Sequence, residues 1–210
     1  MSETENSILI PTTVFGPVAL FREISSNHTC YIEKYETYSK QSFRNRYEIA
    51  APNKIQALSI PVIKIHGNHT KTIDIEIDYK TDWIGQHLKS LETAYKSSPF
   101  HMYYIDYIAE EFQRKYQKLW DLNENLLKLM LKWLDINCEI KYTTEFKPQY
   151  VHLNDYREVL HPKKGWHTKN CKSYPQCFDH KYGFRPGLSI LDLLFNLGPE
   201  SSLFLKNKRY

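Results

Sequence analysis

The clearest pattern along the chain is at residues 71–79, where Ile73, Ile75, Ile77 and Tyr79 alternate with Asp74, Glu76 and Asp78. Alternate side chains of a strand point to opposite faces, so this segment reads as a strand with one wet face. Residues 55–65 read as a second strand, in which Pro61 removes a ladder donor and favours an edge or bulge. The His66-Gly67-Asn68-His69 turn between them predicts a hairpin. Residues 29–38 and 138–146 are rich in β-branched and aromatic positions and read as further strands.

Helical spacing takes over in the middle of the chain. Residues 16–26 permit a short helix. Asp82 can cap a helix whose stripe is Ile84, Leu88, Leu91 and Tyr95. Ser98-Pro99 opens the next, with Phe100, Tyr103, Tyr104, Tyr107, Ile108 and Phe112 on one side. Asp121 with Glu124 resembles a capping box for a third, whose core is Leu126, Leu127, Met130, Trp133 and Leu134. Residues 189–197 form a short apolar helix stopped by Gly198 and Pro199. The stretch 147–187 is irregular, which is where sites often sit on a scaffold. The expected fold is α+β: antiparallel strands in the N-terminal half, a helical segment over about 82–136 packed on them, an irregular C-terminal region and a short C-terminal helix. Residues 1–7 are expected to be loose and 8–210 to form a single domain.

Charge narrows the function classes. The net charge of +4 is too small to demand nucleic acid, so a nucleic-acid-binding module is disfavoured. No stretch approaches a membrane span, and the expected setting is the cytoplasm with reduced thiols. There is no P-loop, dinucleotide fingerprint, GxSxG elbow or HExxH motif. The sequence names no cofactor. His167, Cys171, Cys177 and His180 are soft ligands close in sequence, but their spacing matches no common zinc pattern and no metal site is expected.

The strongest chemical signal is the stretch Tyr38-Ser39-Lys40-Gln41-Ser42-Phe43-Arg44-Asn45-Arg46-Tyr47. If it is extended, Lys40, Ser42, Arg44 and Arg46 share one face and suit a phosphate or carboxylate. The same cations can instead pair with Asp74, Glu76 and Asp78 across a sheet. Asn45 lies between the arginines, and amides can read sugar or base edges. Asp192, within Ile190-Leu191-Asp192-Leu193-Leu194-Phe195, has two readings. A carboxylate in an apolar run has a raised pKa and can serve as an acid or base, whereas Ser189 with Asp192 is also a capping box. Asn196 lies one turn later on the same face. His87, between Trp83 and Leu91, is a core-boundary histidine or a general base. Glu36 is the carboxylate nearest in sequence to the cationic stretch.

These residues also carry a likeness. Glu36-Thr37-Tyr38-x-Lys40-Gln41-Ser42-x-Arg44-Asn45-Arg46, Leu58-Ser59-Ile60-Pro61-Val62, Trp83-x3-His87, Tyr95-Lys96-Ser97-Ser98-Pro99-Phe100 and the run Leu188 to Pro199 resemble, in order, the WbqC-like protein family. The resemblance covers about residues 8–205. It is a bacterial family with some members in clusters for O-antigen and related surface polysaccharides, which implies a role in building or decorating those sugars. On that basis the protein is expected to bind an anionic small molecule such as a nucleotide-sugar and to transfer an acyl or aminoacyl group to an amino-sugar. Lys40, Ser42, Arg44, Asn45, Arg46, Trp83 and Asn196 would bind substrate, and His87, Glu36 and Asp192 would be catalytic. A non-catalytic binding or assembly protein of the same pathway is the alternative.

Overall fold

A computed structural model describes residues 6–169 and 171–207. Its first strand, β1 (Ser7–Pro11), is buried at every position. A parallel sheet is covered on both faces, so its central strand reads as one continuous apolar run, as Ile8-Leu9-Ile10 does. Helix α1 (Val18–Ser26) buries Leu20, Phe21 and Ile24 and leads into β2 (Thr29–Glu33). A helix between two neighbouring strands returns the chain to the starting end of the sheet, so β1 and β2 pair in parallel, from Ser7 opposite Thr29 to Pro11 opposite Glu33.

The chain then leaves this sheet for about a hundred residues. Strand β3 (Arg46–Ala50) pairs antiparallel with β4 (Ile55–Ser59), and after the break at Pro61 the two-residue strands β5 (Val62–Ile63) and β6 (Glu76–Ile77) pair antiparallel. Helices α2 (Trp83–Tyr95), α3 (His101–Gln113) and α4 (Leu119–Trp133) pack in succession. Strand β7 (Glu139–Tyr142) then joins the far side of β2, and β8 (Asn154–Asp155) crosses back to the open side of β1. The short helix α5 (Asp179–Tyr182), the buried helix α6 (Ile190–Leu197) and α7 (Glu200–Lys206) complete the described chain. The sheet order is β7-β2-β1-β8, with every pairing parallel. The order reverses at β1, and in open parallel sheets a crevice forms outside the carboxyl ends of the strands at such a reversal.

This arrangement corrects the expected fold in three places. The core sheet is parallel; antiparallel pairing is confined to the two small ribbons β3–β4 and β5–β6. Residues 71–79 are not one long strand: Thr72–Asp74 is a turn of 3-10 helix and only Glu76 and Ile77 are strand. Their backbone bonds go elsewhere, from Thr72 N–H to Glu36 O and from Leu119 N–H to Ile75 O. Residues 39–45 are a turn rather than extended chain, with Gln41 at φ 53°, so the alternation of faces does not apply there. Of residues 1–7, the first five lie outside the described residues, and Ser7 begins β1.

Among the described residues no helix is long and apolar enough to cross a membrane.

Candidate functional site

The loops that follow the carboxyl ends of β2, β7 and β8 enclose a cleft of about 630 Å³. Glu36 comes from the first of these loops. Its backbone is fixed by Thr72 N–H, which donates to Glu36 O at 2.9 Å, and its neighbour Tyr38 donates to Thr70 O at 3.0 Å. Arg44 comes from the turn before β3. That turn is closed by the Ser42 hydroxyl, which donates to Ser39 O at 2.7 Å, and is anchored from α4 by Asn123 Nδ2, which donates to Arg44 O at 2.8 Å.

The two side chains meet. Arg44 donates from Nε to Glu36 Oε1 at 2.7 Å and from Nη2 to Glu36 Oε2 at 2.6 Å, and both groups are buried. A guanidinium has five N–H donors, and this side-on pair uses two. The end-on fork of Nη1 and the second Nη2 hydrogen makes no bond within the described chain and is not sealed from solvent. Arg44 lines the cleft, so this fork is where an oxyanion can be taken.

Arg157 also lines the cleft but has nothing to give. Nε donates to both oxygens of Asp155 at 3.0 Å. Nη2 donates to Asp155 Oδ2 at 2.6 Å and Pro148 O at 3.3 Å, and Nη1 to Glu33 Oε2 at 3.0 Å and Lys147 O at 2.9 Å. All five donors are used. The guanidinium also packs on the rings of Phe146 and Tyr150, 5.4 and 5.2 Å from their centroids. Glu33 is fully buried at the end of β2 and accepts further from Tyr35 N–H and the Thr143 hydroxyl. Arg157 therefore ties three loop ends together and shapes the cleft without binding in it.

His161 and Lys164 complete the basic side of the cleft. His161 Nδ1 accepts from Lys163 N–H at 3.1 Å, which puts the ring proton on Nε2. Burial, followed by the charges of Arg44, Lys163, Lys164 and Arg46, pushes its pKa below the ordinary histidine value. The imidazole is thus a neutral donor at physiological pH. Phe146, half exposed, gives the cleft an aromatic wall.

The other residues singled out from the sequence lie elsewhere. Arg46 pairs with Glu48 at 2.9 Å on β3, and Lys40 is exposed beside Lys64. Asn45 is buried, donating to Ile60 O at 2.8 Å. Trp83 and His87 are buried on one face of α2, packed edge to face with Phe112. His87 accepts from the Tyr47 hydroxyl at Nδ1 (3.1 Å) and donates from Nε2 to Ser59 O (3.3 Å), and burial lowers its pKa to about 4. Asp192 is fully buried on α6, where Tyr95, Tyr174 and Gln176 donate to its carboxylate at 2.7 to 2.8 Å. Burial raises its pKa to about 6 against those three bonds. Asn196 donates to Asp192 O at 2.7 Å. The structure brings Glu36 and Arg44 together in the cleft and places His87 and Asp192 in the core.

A family profile matches residues 15–164 and 149–203, in two overlapping segments that span most of the chain. The chain belongs to the WbqC-like protein family. It is also similar to the protein described as "Uncharacterized protein Rv1507c" of Mycobacterium tuberculosis (strain ATCC 25618 / H37Rv), at 26% identity over 198 residues, covering 80% of this chain and 84% of that protein. No solved structure matches. Glu36, Arg44, Asp155, Arg157, His161 and Lys164 all fall within the first matched segment of the family.

Of the residues singled out from the sequence, Glu36 and Arg44 line this cleft; Asp155, Arg157, His161 and Lys164 line it too and were not singled out. The available signal was Asp155-Tyr156-Arg157, a charged pair two residues apart inside the stretch read only as irregular.

Proposed function

We propose that the protein binds the phosphate of a nucleotide-linked sugar in this cleft and serves the assembly of bacterial surface polysaccharide in the cytoplasm. The observation that carries the reading is the open fork of Arg44, held in place by Glu36 on its other side. A guanidinium already gripped side-on is pre-organised for an anion end-on, so little side-chain entropy is lost on binding. His161 Nε2–H and the Lys164 ammonium are further donors on the same wall, and Phe146 offers a face for a sugar or base. The pathway assignment rests on the family.

A second reading, transfer of an acyl or aminoacyl group to a nucleotide-linked amino-sugar, is favoured by one observation. His161 is a neutral imidazole in the cleft, the side chain best suited to move a proton near pH 7.

Both readings are tested by a thermal-shift screen of the native chain against nucleotide-sugars, acyl-CoAs and amino acids. A bound ligand raises the melting temperature by mass action. A nucleotide-sugar is expected to raise it, and a flat response to all of them overturns the proposal. Turnover of that nucleotide-sugar with an acyl donor, lost in His161→Gln while binding persists, would select the transferase reading; binding without turnover would select the first.

A further inference from the structure

Helices α2 and α3 pack side by side, joined by residues 96–100, and leave an open groove of about 890 Å³ between their outer faces. Helix α2 buries Trp83, His87, Leu91 and Tyr95, and the stripe of Leu88, Lys89, Glu92 and Lys96 borders the groove. Helix α3 buries Ile108 and Phe112 and turns Met102, Ile105, Asp106 and Ala109 to the same groove. Met102 is 72% exposed, and Tyr103 and Tyr107 beside it are 63% and 54% exposed, so the outer face of α3 is uncovered. Methionine adapts its shape to a partner, and tyrosine is enriched where proteins meet. At the floor, His101 meets Phe195 edge to face at 5.1 Å, and its Nε2 is sealed from solvent and closed to a solute in the groove.

The two lips of the groove carry opposite charges. On α2, Lys96 pairs with Glu92 at 3.5 Å, which leaves Lys89 as the cation of that lip. On α3 the charge is Asp106. Among the described residues, neither Lys89 nor Asp106 has an ion-pair partner, and both are exposed. A groove with one open cation and one open anion on facing lips does not select a strongly acidic or strongly basic partner. It complements itself. Consecutive helices on a short link run antiparallel, so Lys89 and Asp106, about equally far from the link, lie at one level. In an isologous interface, residue i meets j and j meets i. A two-fold axis crossing the groove at that level sets each lysine against the aspartate of the other copy.

We propose that this groove is the interface of a two-fold symmetric dimer of the chain, with Lys89 of each copy paired to Asp106 of the other and Met102 buried between them. Exposed ion pairs add little strength, so burial of Met102, Leu88 and Ile105 carries the association and the two ion pairs fix its register.

The test is sedimentation velocity of the native full-length chain over a concentration series, which is expected to reveal a species of twice the 25.0 kDa of one chain. Lys89→Glu and Asp106→Lys each place like charges at both contacts, and each variant alone is expected to sediment as a monomer. Mixed in equal amounts, the two variants again place opposite charges at both contacts, and the doubled mass is expected to return. That recovery separates a lost contact from a lost fold. Met102→Glu is expected to stay monomeric alone and in mixture with either variant. A native chain that keeps the mass of one chain throughout the series, single variants that remain dimeric, or a mixture of Lys89→Glu with Asp106→Lys that remains monomeric would each overturn the proposal.

Discussion

Counting donors separates two arginines that share one cleft. Arg157 spends all five N–H groups on Asp155, Glu33 and two carbonyls, whereas Arg44 spends two on Glu36 and keeps a fork free. Their substitutions should fail in different ways. Arg157→Met leaves Glu33 buried without its cation, and removing one partner of a buried pair costs about 3–5 kcal/mol. Urea denaturation should show that loss, and adding Glu33→Met should recover much of it, since the uncompensated charge is then gone. If the double variant is no more stable than the single one, Glu33 is not what Arg157 neutralises. The sequence singled out Arg44 within the run of cations from Lys40 to Arg46, and the structure sets it on the wall of the cleft. Lys40 and Arg46 share a face with Arg44 only where the stretch is extended. The turn with Gln41 at φ 53° breaks that geometry, and Arg46 is left to pair with Glu48 on its own strand.

At the scale of elements, α2 and α6 each bury an ionisable group, and the two act oppositely on stability. His87 has a folded pKa near 4, below its ordinary 6.5, so the unfolded chain holds the proton more tightly and stability rises as pH climbs from about 4 to 6.5. Asp192 has a folded pKa near 6, above its ordinary 3.8, so the folded chain holds the proton and stability falls as pH climbs from about 4 to 6. Each effect is about 3 kcal/mol, and in the native chain they largely cancel. Denaturation between pH 4 and 6.5 should therefore show Asp192→Asn gaining stability with pH relative to the native chain, and His87→Gln losing it. Parallel profiles for the two variants would refute this account.

Both helices were legible in outline. Asp82 caps α2 by accepting from Gly85 N–H at 3.0 Å, and Ser189 caps α6 by accepting from Leu191 N–H at 3.2 Å. Gly198 ends α6 at φ 53°, where a side chain would strike the Phe100 ring. What the pattern hid was the face. Asp192 completes the expected capping spacing, yet its carboxylate turns to Tyr95, Tyr174 and Gln176 on other elements.

The whole molecule is organised by β1, which the sequence pattern did not reveal. A fully buried strand has no alternation to detect, and three consecutive apolar residues near the N-terminus are too short a run to separate strand from any other buried segment. Without β1 the β1–α1–β2 unit is invisible. The sheet then reads as antiparallel, and the carboxyl edge that positions the cleft cannot be inferred. With it, the loops after β2, β7 and β8 converge, and two groups far apart in sequence, Glu36 with Arg44 and Asp155 with Arg157 and His161, line one cavity. The mildly basic net charge said little about this site, because Glu36 and Asp155 already hold its arginines.

The central claim is that Arg44 offers the ligand a fork. The direct measurement is calorimetric titration of the nucleotide-sugar that most stabilises the native chain into native protein, Arg44→Lys and Arg46→Lys. Lysine at 44 can still pair with Glu36 but has no second pair of parallel donors. The account predicts that Arg44→Lys weakens binding by roughly tenfold or more, as for a lost charge-assisted hydrogen-bond pair, with Arg46→Lys unchanged. Equal affinity in the native chain and Arg44→Lys, or a loss confined to Arg46→Lys, would contradict it.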